Sequence, residues 1–252
     1  MEMGTDSEDP RGFFTRHHEA YVQSPRHARG EDLFRLVAGL NPKAGETALD
    51  VAVGGGHTAV KLAQKGLRVT VVDVTPAMLA AAVRFGREQG VDLTPVEAPA
   101  EALPFLDASF HVVTCRRAAH HFTDVDAFLR EAARVLVAGG RLGISDMTAG
   151  PEAIGWLNDL ERVRDPSHRA ARTPSDWREA VAAAGFSAVR SEVLSEPMAP
   201  EEWCFPVAPD SPEGAAAMAR MRGPGAPAEL FADGRFIKRR LLMWAEKPAG
   251  GR

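Results

Sequence analysis

The chain alternates short apolar runs with stretches in which apolar residues recur every three or four positions. Runs at 48–53, 67–72, 91–96, 110–115 and 141–147 have the length of buried strands. Between them, 57–65 carries a helical pattern closed by Gly66. A second helix starts at Thr75-Pro76, an N-cap followed by proline in the first turn, and buries Met78, Leu79, Ala82 and Val83 before Gly90. Pro95 weakens the far end of the third run. Thr123 with Asp126 reads as a capping box for a helix carrying Val125, Phe128, Leu129, Ala132 and Leu136, after which Gly139-Gly140 turns the chain. Thr173-Pro174 starts another helix, with Trp177 and Val181 inward and Gly185 at its end. Strands follow at 186–194 and at 235–246, with one helix around 215–221 between them. Ahead of the first strand, 13–40 is helical, with Phe14, His18 and Tyr21 on one face and Leu33, Leu36, Val37 and Leu40 on another. Strands alternating with helices call for an α/β fold, a largely parallel sheet covered on both faces.

The stretch 48–73, ALDVAVGGGHTAVKLAQKGLRVTVVD, is strand, glycine turn, helix, strand and acid. Gly54, Gly56 and Ala59 match the G-x-G-x-x-[GA] spacing, and Asp73 stands where ribose hydroxyls are bonded in nucleotide-binding folds. Glycines let the backbone approach a ligand, and the helix start offers unpaired N–H groups above the turn. A nucleoside-like ligand is expected. The spacing does not say which, and a tight turn with no ligand is the plain alternative.

Composition narrows the choices. The chain has 252 residues and a net charge of −4, which disfavours a nucleic-acid partner. Cys115 and Cys204 fit no metal or disulfide spacing, and no metal is called for. No apolar run spans a membrane, and the acidic N-terminus has no signal core, so a cytoplasmic protein is expected. Residues 1–12 read as a flexible tail and 13–247 as a single domain, with 13–42 a helical cover and 149–172 and 197–234 insertions. Arg162, Arg164, Arg169 and Arg172 read as a solvated face, and Arg235, Lys238, Arg239 and Arg240 as flanks of an exposed strand.

Four segments in order, LDVAVGGGHTA at 49–59, VTVVDVTPAML at 69–79, AEALPFLDASFHVV at 100–113 and FLREAARVLVAGGRLGISD at 128–146, resemble the class I S-adenosylmethionine-dependent methyltransferases. They are most similar to the ubiquinone and menaquinone C-methyltransferase branch, and the likeness runs from Tyr21 to Lys247. It implies a Rossmann-like seven-stranded sheet whose antiparallel last strand lies between the fifth and sixth. It also implies S-adenosylmethionine as cofactor, S-adenosylhomocysteine as product and a small-molecule methyl acceptor as partner.

By the same resemblance, Gly54 and Gly56 lie against the amino-acid end of the cofactor, with Asp50 near its ammonium. Asp73 bonds the ribose, Val74 packs on adenine, and Ala100 and Glu101 border the adenine edge. Arg116 starts the wall facing the sulfonium. Two positions depart from the pattern: Pro99 stands where many relatives have an aspartate for the adenine amine, and His111 replaces a common Asp. Tyr21, the only tyrosine, is a candidate for facing cofactor or acceptor. His121 and His120 follow the fourth strand at the sheet edge where ligands bind, and are the candidate bases. The alternatives are a member of the fold that binds the cofactor without transferring its methyl, and a nicotinamide-dependent oxidoreductase.

Overall fold

A computed structural model describes residues 10–250. The expectation for residues 1–9 of the tail lies outside the described residues, and 10–12 belong to a helix instead. The chain opens on α1 (Pro10–Gln23), α2 (Pro25–Arg29) and α3 (Glu31–Gly39). Leu33, Leu36 and Val37 of α3 are buried against the sheet, and Trp244 Nε1 donates to Leu36 O at 3.0 Å.

The first unit is β1 (Thr47–Val51), the glycine turn, α4 (His57–Gln64) and β2 (Arg68–Asp73). After it come α5 (Pro76–Glu88), β3 (Leu93–Glu97), β4 (Phe110–Arg116), α6 (Val125–Val135) and β5 (Leu136–Met147). The remainder is α7 (Ile154–Arg164), α8 (Pro174–Ala183), β6 (Ser187–Met198), α9 (Pro200–Trp203), α10 (Pro212–Arg222), β7 (Phe231–Ala232) and β8 (Arg235–Glu246).

The sheet order is β3-β2-β1-β4-β5-β8-β6, with β8 antiparallel to both β5 and β6. This is the expected mostly parallel sheet with its antiparallel last strand inserted. The two-residue β7 pairs with the start of β8 and is an eighth strand that sequence did not announce. Pro95 is accommodated because β3 is the edge of the sheet, where a missing N–H costs no ladder bond on the open side. One apolar layer, with Leu49, Val113, Phe128, Leu129 and Trp177, fills one face of the sheet. Another, with Leu36, Leu62, Val71 and Leu79, fills the opposite face. A third, around Leu157, Trp203, Met218 and Phe236, packs the two insertions on each other.

Local signals differ from expectation in two places. The cap of α6 is Asp124, whose carboxylate accepts from Ala127 N at 2.8 Å, not Thr123. Gly139-Gly140 turns the chain within β5: Phe110 pairs with Leu136 and Val112 with Arg141, so 137–140 bulge out. The bulge is held by Lys247, through Gly139 N to Lys247 O and Lys247 N to Gly140 O.

Candidate active site

A cavity of about 390 Å³ opens at the C-terminal ends of β1, β2 and β4, where open α/β sheets bind ligands. Gly54, Asp73, Val74, Ala100, Glu101, Arg116, Tyr21 and His121 all line it. Asp50, Gly56 and His120 stand behind its surface and are not part of the lining.

The glycine turn divides its work. Gly54 has φ +52°, and a Cβ there would meet nothing within 4 Å, because the position faces the cavity. Gly56 has φ +84°, and its Cβ would press on Ala82 of α5 at 3.1 Å, so this glycine sets helix packing. Ala52, which also lines the cavity, takes φ +54°, a left-handed conformation that costs an L-residue roughly 1–2 kcal/mol. The G-x-G-x-x-[GA] spacing passes over it.

Asp73 is buried at the end of β2, with Oδ1 accepting from Thr75 N at 2.9 Å and Oδ2 from Gly54 N at 3.3 Å. Burial pushes its carboxyl up, and these N–H bonds pull against that. The carboxylate therefore braces the turn and still has lone pairs for a ligand. Asp50 lies deeper, accepts from Thr114 Oγ1 at 2.6 Å, and is pushed by burial up to about 7.

On the adenine side of the expected site, Pro99, Ala100 and Glu101 form one wall. Glu101 Oε1 accepts from Thr123 N at 2.9 Å and Asp124 N at 3.3 Å, tying this loop to the start of α6. His111 faces the opposite end of the sheet, with Nδ1 2.9 Å from Thr47 Oγ1.

The opposite wall is built on one carboxylate. Asp32, 3% exposed, accepts from Arg116 Nε at 2.7 Å and Nη2 at 3.0 Å, and from Arg117 Nη2 at 2.7 Å and Nε at 3.0 Å. Ser145 Oγ donates to it at 3.2 Å, and Arg240 Nε lies 3.8 Å away. Burial alone would raise this carboxyl, but Arg116, Arg240 and Arg117 hold it far below the ordinary range. Neither Asp32 nor Arg117 carried a role in the sequence reading. The detectable signal was an adjacent arginine pair ending a buried strand, which requires a counter-ion.

The helix α1 supplies Arg11, Phe14 and Tyr21 to the lining. Tyr21 meets Phe14, His27 and Phe205 edge to face at 5.5, 5.2 and 5.8 Å, and His57 Nε2 lies 3.3 Å from Tyr21 O. His18, expected on the same face, does not line the cavity; its Nδ1 is 2.9 Å from Thr15 O. The histidine pair splits by role. His121 faces the cavity, with Nδ1 3.1 Å from Ser167 Oγ and its ring against Phe14 at 5.0 Å. Burial, then the charge of His120, lowers the affinity of His121 for a proton. His120 is locked behind it, Nδ1 to Asp146 Oδ1 at 2.5 Å and N to Oδ2 at 2.9 Å.

Two expectations about arginines are overturned. Arg164 is buried and paired with Glu161, with its guanidinium over Trp203 at 4.5 Å. Arg240 is 5% exposed, because β8 is an inner strand and 240 faces the interior. Among the described residues no helix is long and apolar enough to cross a membrane, and no cluster of ligands for a metal is present.

The methyltransferase domain family matches residues 49–144, the span that holds the glycine turn, Asp73 and the His120–His121 pair. The uncharacterized methyltransferase YcgJ of Bacillus subtilis is 38% identical over 168 residues, 66% of each chain. The chain covers 49% and 60% of two other curated relatives, so it spans two thirds or less of these proteins. The demethylmenaquinone methyltransferase of Thermus thermophilus is 33% identical over 61% of this chain and 79% of its own. A crystal structure of a putative methyltransferase from Bacillus halodurans superposes with a TM-score of 0.78 at 34% identity, covering 87% of this chain and all of that one (100%). With the sheet order, the glycine turn and these likenesses together, the chain belongs to the S-adenosylmethionine-dependent methyltransferases.

Proposed function

We propose that the protein binds S-adenosylmethionine in the cavity over the glycine turn and passes its methyl group in line to a small-molecule acceptor. The observation that carries this is the placing of an open Gly54 and a buried, pre-bonded Asp73 carboxylate on one floor, with Tyr21 and His121 across from them. The residues suit the group: Asp73 keeps lone pairs for ribose hydroxyls, Val74 and Ala100 give an apolar berth for adenine, and Gly54 leaves room for the amino-acid end. When bound, the cofactor supplies an activated methyl on a positively charged sulfur.

The chain's part is to align two molecules and exclude water. Orientation of that kind supplies roughly 7–11 kcal/mol of barrier reduction, against roughly 3–5 kcal/mol for a general base. Positioning by the Asp32-held arginine wall and by α1 thus outweighs any one proton acceptor. His121, neutral and facing the cavity, is the group placed to take a proton from an acceptor that must lose one. His120 acts through it, as a positioning residue held by Asp146.

Incubation with methyl-labelled S-adenosylmethionine and a small-molecule extract tests the proposal. Label is expected in a small-molecule product. Cofactor binding without any label transfer would leave only a non-methylating role for the fold.

The buried carboxylates add a pH dependence. Asp50, pushed by burial to about 7, is largely protonated below that value. A cofactor ammonium in the cavity, with Asp50 behind the lining, favours the ionised form through its charge, so binding releases a proton at pH below about 7. Affinity is expected to rise with pH from about 5 to 7 and to level off above. Calorimetry in buffers of different ionisation heat reads the released proton. A flat affinity across that window would remove Asp50 from the ammonium site.

A further inference from the structure

Beside the main cavity lies a smaller, open chamber of about 70 Å³. Tyr21, His27, Arg117 and His121 line both spaces and form the partition between them. Beyond it stand Arg164, Lys238 and Arg240.

The charged groups in and around this chamber are equal in number but unevenly paired. Arg164 is satisfied by Glu161 and by the carbonyls of Trp203 and Phe205. Asp32 is a single carboxylate shared by Arg116, Arg117 and Arg240. Glu196 and Glu202 are turned to Arg26, at 3.3 and 2.9 Å. Asp165 is taken by Ser167, through N at 2.9 Å and Oγ at 2.5 Å, and lies 3.9 Å from His121 Nε2. Asp146 is held by His120. Lys238 makes no hydrogen bond or ion pair among the described residues, although its register partner on β6 is Glu196. On the side formed by Arg117, Lys238 and Arg240, Asp32 answers the two guanidiniums and Lys238 is left with no carboxylate bonded to it.

We propose that this side chamber receives an anionic group, a carboxylate or a phosphate, of the methyl acceptor. The inference rests on the function proposed above and names the acceptor's class: a small anion whose reacting atom reaches the partition while its charge sits on Lys238 and the guanidinium edges beyond. The volume fits. One water needs roughly 10–15 Å³ on this measure, so the chamber has room for about five waters or one such group. The chemistry fits too, since a half-buried ammonium with no bonded partner is poorly stabilised and an entering anion supplies the missing partner. Burial, with Arg164, Arg240 and Arg117 and against the pull of Glu161, pushes the Lys238 amine down to about 7. An anion at that place restores its proton.

The test is calorimetric titration of the S-adenosylhomocysteine complex with benzoate, phenyl phosphate and neutral benzamide. At least one anion is expected to bind about tenfold or more tightly than benzamide, and which one does so distinguishes carboxylate from phosphate. Lys238→Met should abolish the preference and Lys238→Arg should retain it, with affinity for S-adenosylhomocysteine unchanged in both. Equal binding of benzamide, a preference that survives in Lys238→Met, or no binding of either anion at millimolar concentration would overturn the proposal. The same titrations on the cofactor-free protein read the chamber by itself. Failure to bind S-adenosylhomocysteine would count against the proposed function, and failure of the anion series against the chamber.

Discussion

Asp32→Ala is expected to lower the melting temperature by roughly 6–20 °C, because breaking a buried ion pair by removing one partner costs about 3–5 kcal/mol and a chain of this size loses about 2–4 °C per kcal/mol. The mechanism is specific. Asp32 is the shared counter-ion of Arg116 and Arg117, with Arg240 close by, and all four side chains are nearly excluded from water. Without it, guanidiniums crowd one another in a site where they cannot be solvated. The carboxyl is held far below its unfolded value, so its contribution is full above about pH 4 and fades as pH falls further. The variant should therefore differ from the parent most at neutral pH and least in acid. A melting temperature within a degree or two of the parent at pH 7 would show that the arginine wall does not depend on Asp32.

Asp73→Ala is expected to weaken cofactor binding by about 100-fold or more. Two charge-assisted hydrogen bonds to ribose are each worth about 1.5–3 kcal/mol, and 1.4 kcal/mol is tenfold. The structure adds a second reason: the same carboxylate accepts from Gly54 N and Thr75 N, so its loss also loosens the turn under the ligand. Asp73→Asn keeps one oxygen acceptor for that brace, and should fall between the parent and Asp73→Ala. Calorimetry with S-adenosylhomocysteine measures both. An unchanged dissociation constant in folded Asp73→Ala would place the ribose elsewhere.

How far the sequence could be read depended on whether a residue's partner was local. The bounds of β8 were visible because Gly234 punctuates the chain just before an apolar-rich run, and the observed strand is Arg235–Glu246 as expected. The glycine turn and Asp73 stood out because their spacing within one βα unit is itself the signal, while Val74, Ala100 and Glu101 came from the resemblance of their segments; Gly54, Asp73, Val74, Ala100 and Glu101 line the cavity. Asp50, Gly56 and His120 belong to the same motifs but point into packing: Asp50 to Thr114, Gly56 to Ala82, His120 to Asp146. A one-dimensional motif cannot tell the residue that faces a ligand from the one that supports it.

Of the arginine wall only Arg116 was legible, for a related reason. Asp32 stands on α3, 84 and 85 positions in sequence from the arginines it holds, and nothing local marks it as more than an acid in the first turn of a helix. Arg164 and Arg240 were misread because runs of charge usually face water. Here the insertion α7 and the inner strand β8 turn one member of each run inward, where Glu161 and Asp32 receive it.

The central claim is that the cavity over the glycine turn is an S-adenosylmethionine site. Calorimetric titration of the full chain with S-adenosylmethionine, S-adenosylhomocysteine and NAD tests it most directly. Both adenosyl compounds are expected to bind with dissociation constants on the order of micromolar, about −8 kcal/mol, and NAD far more weakly. Tight NAD binding with no heat from either adenosyl compound would contradict the account.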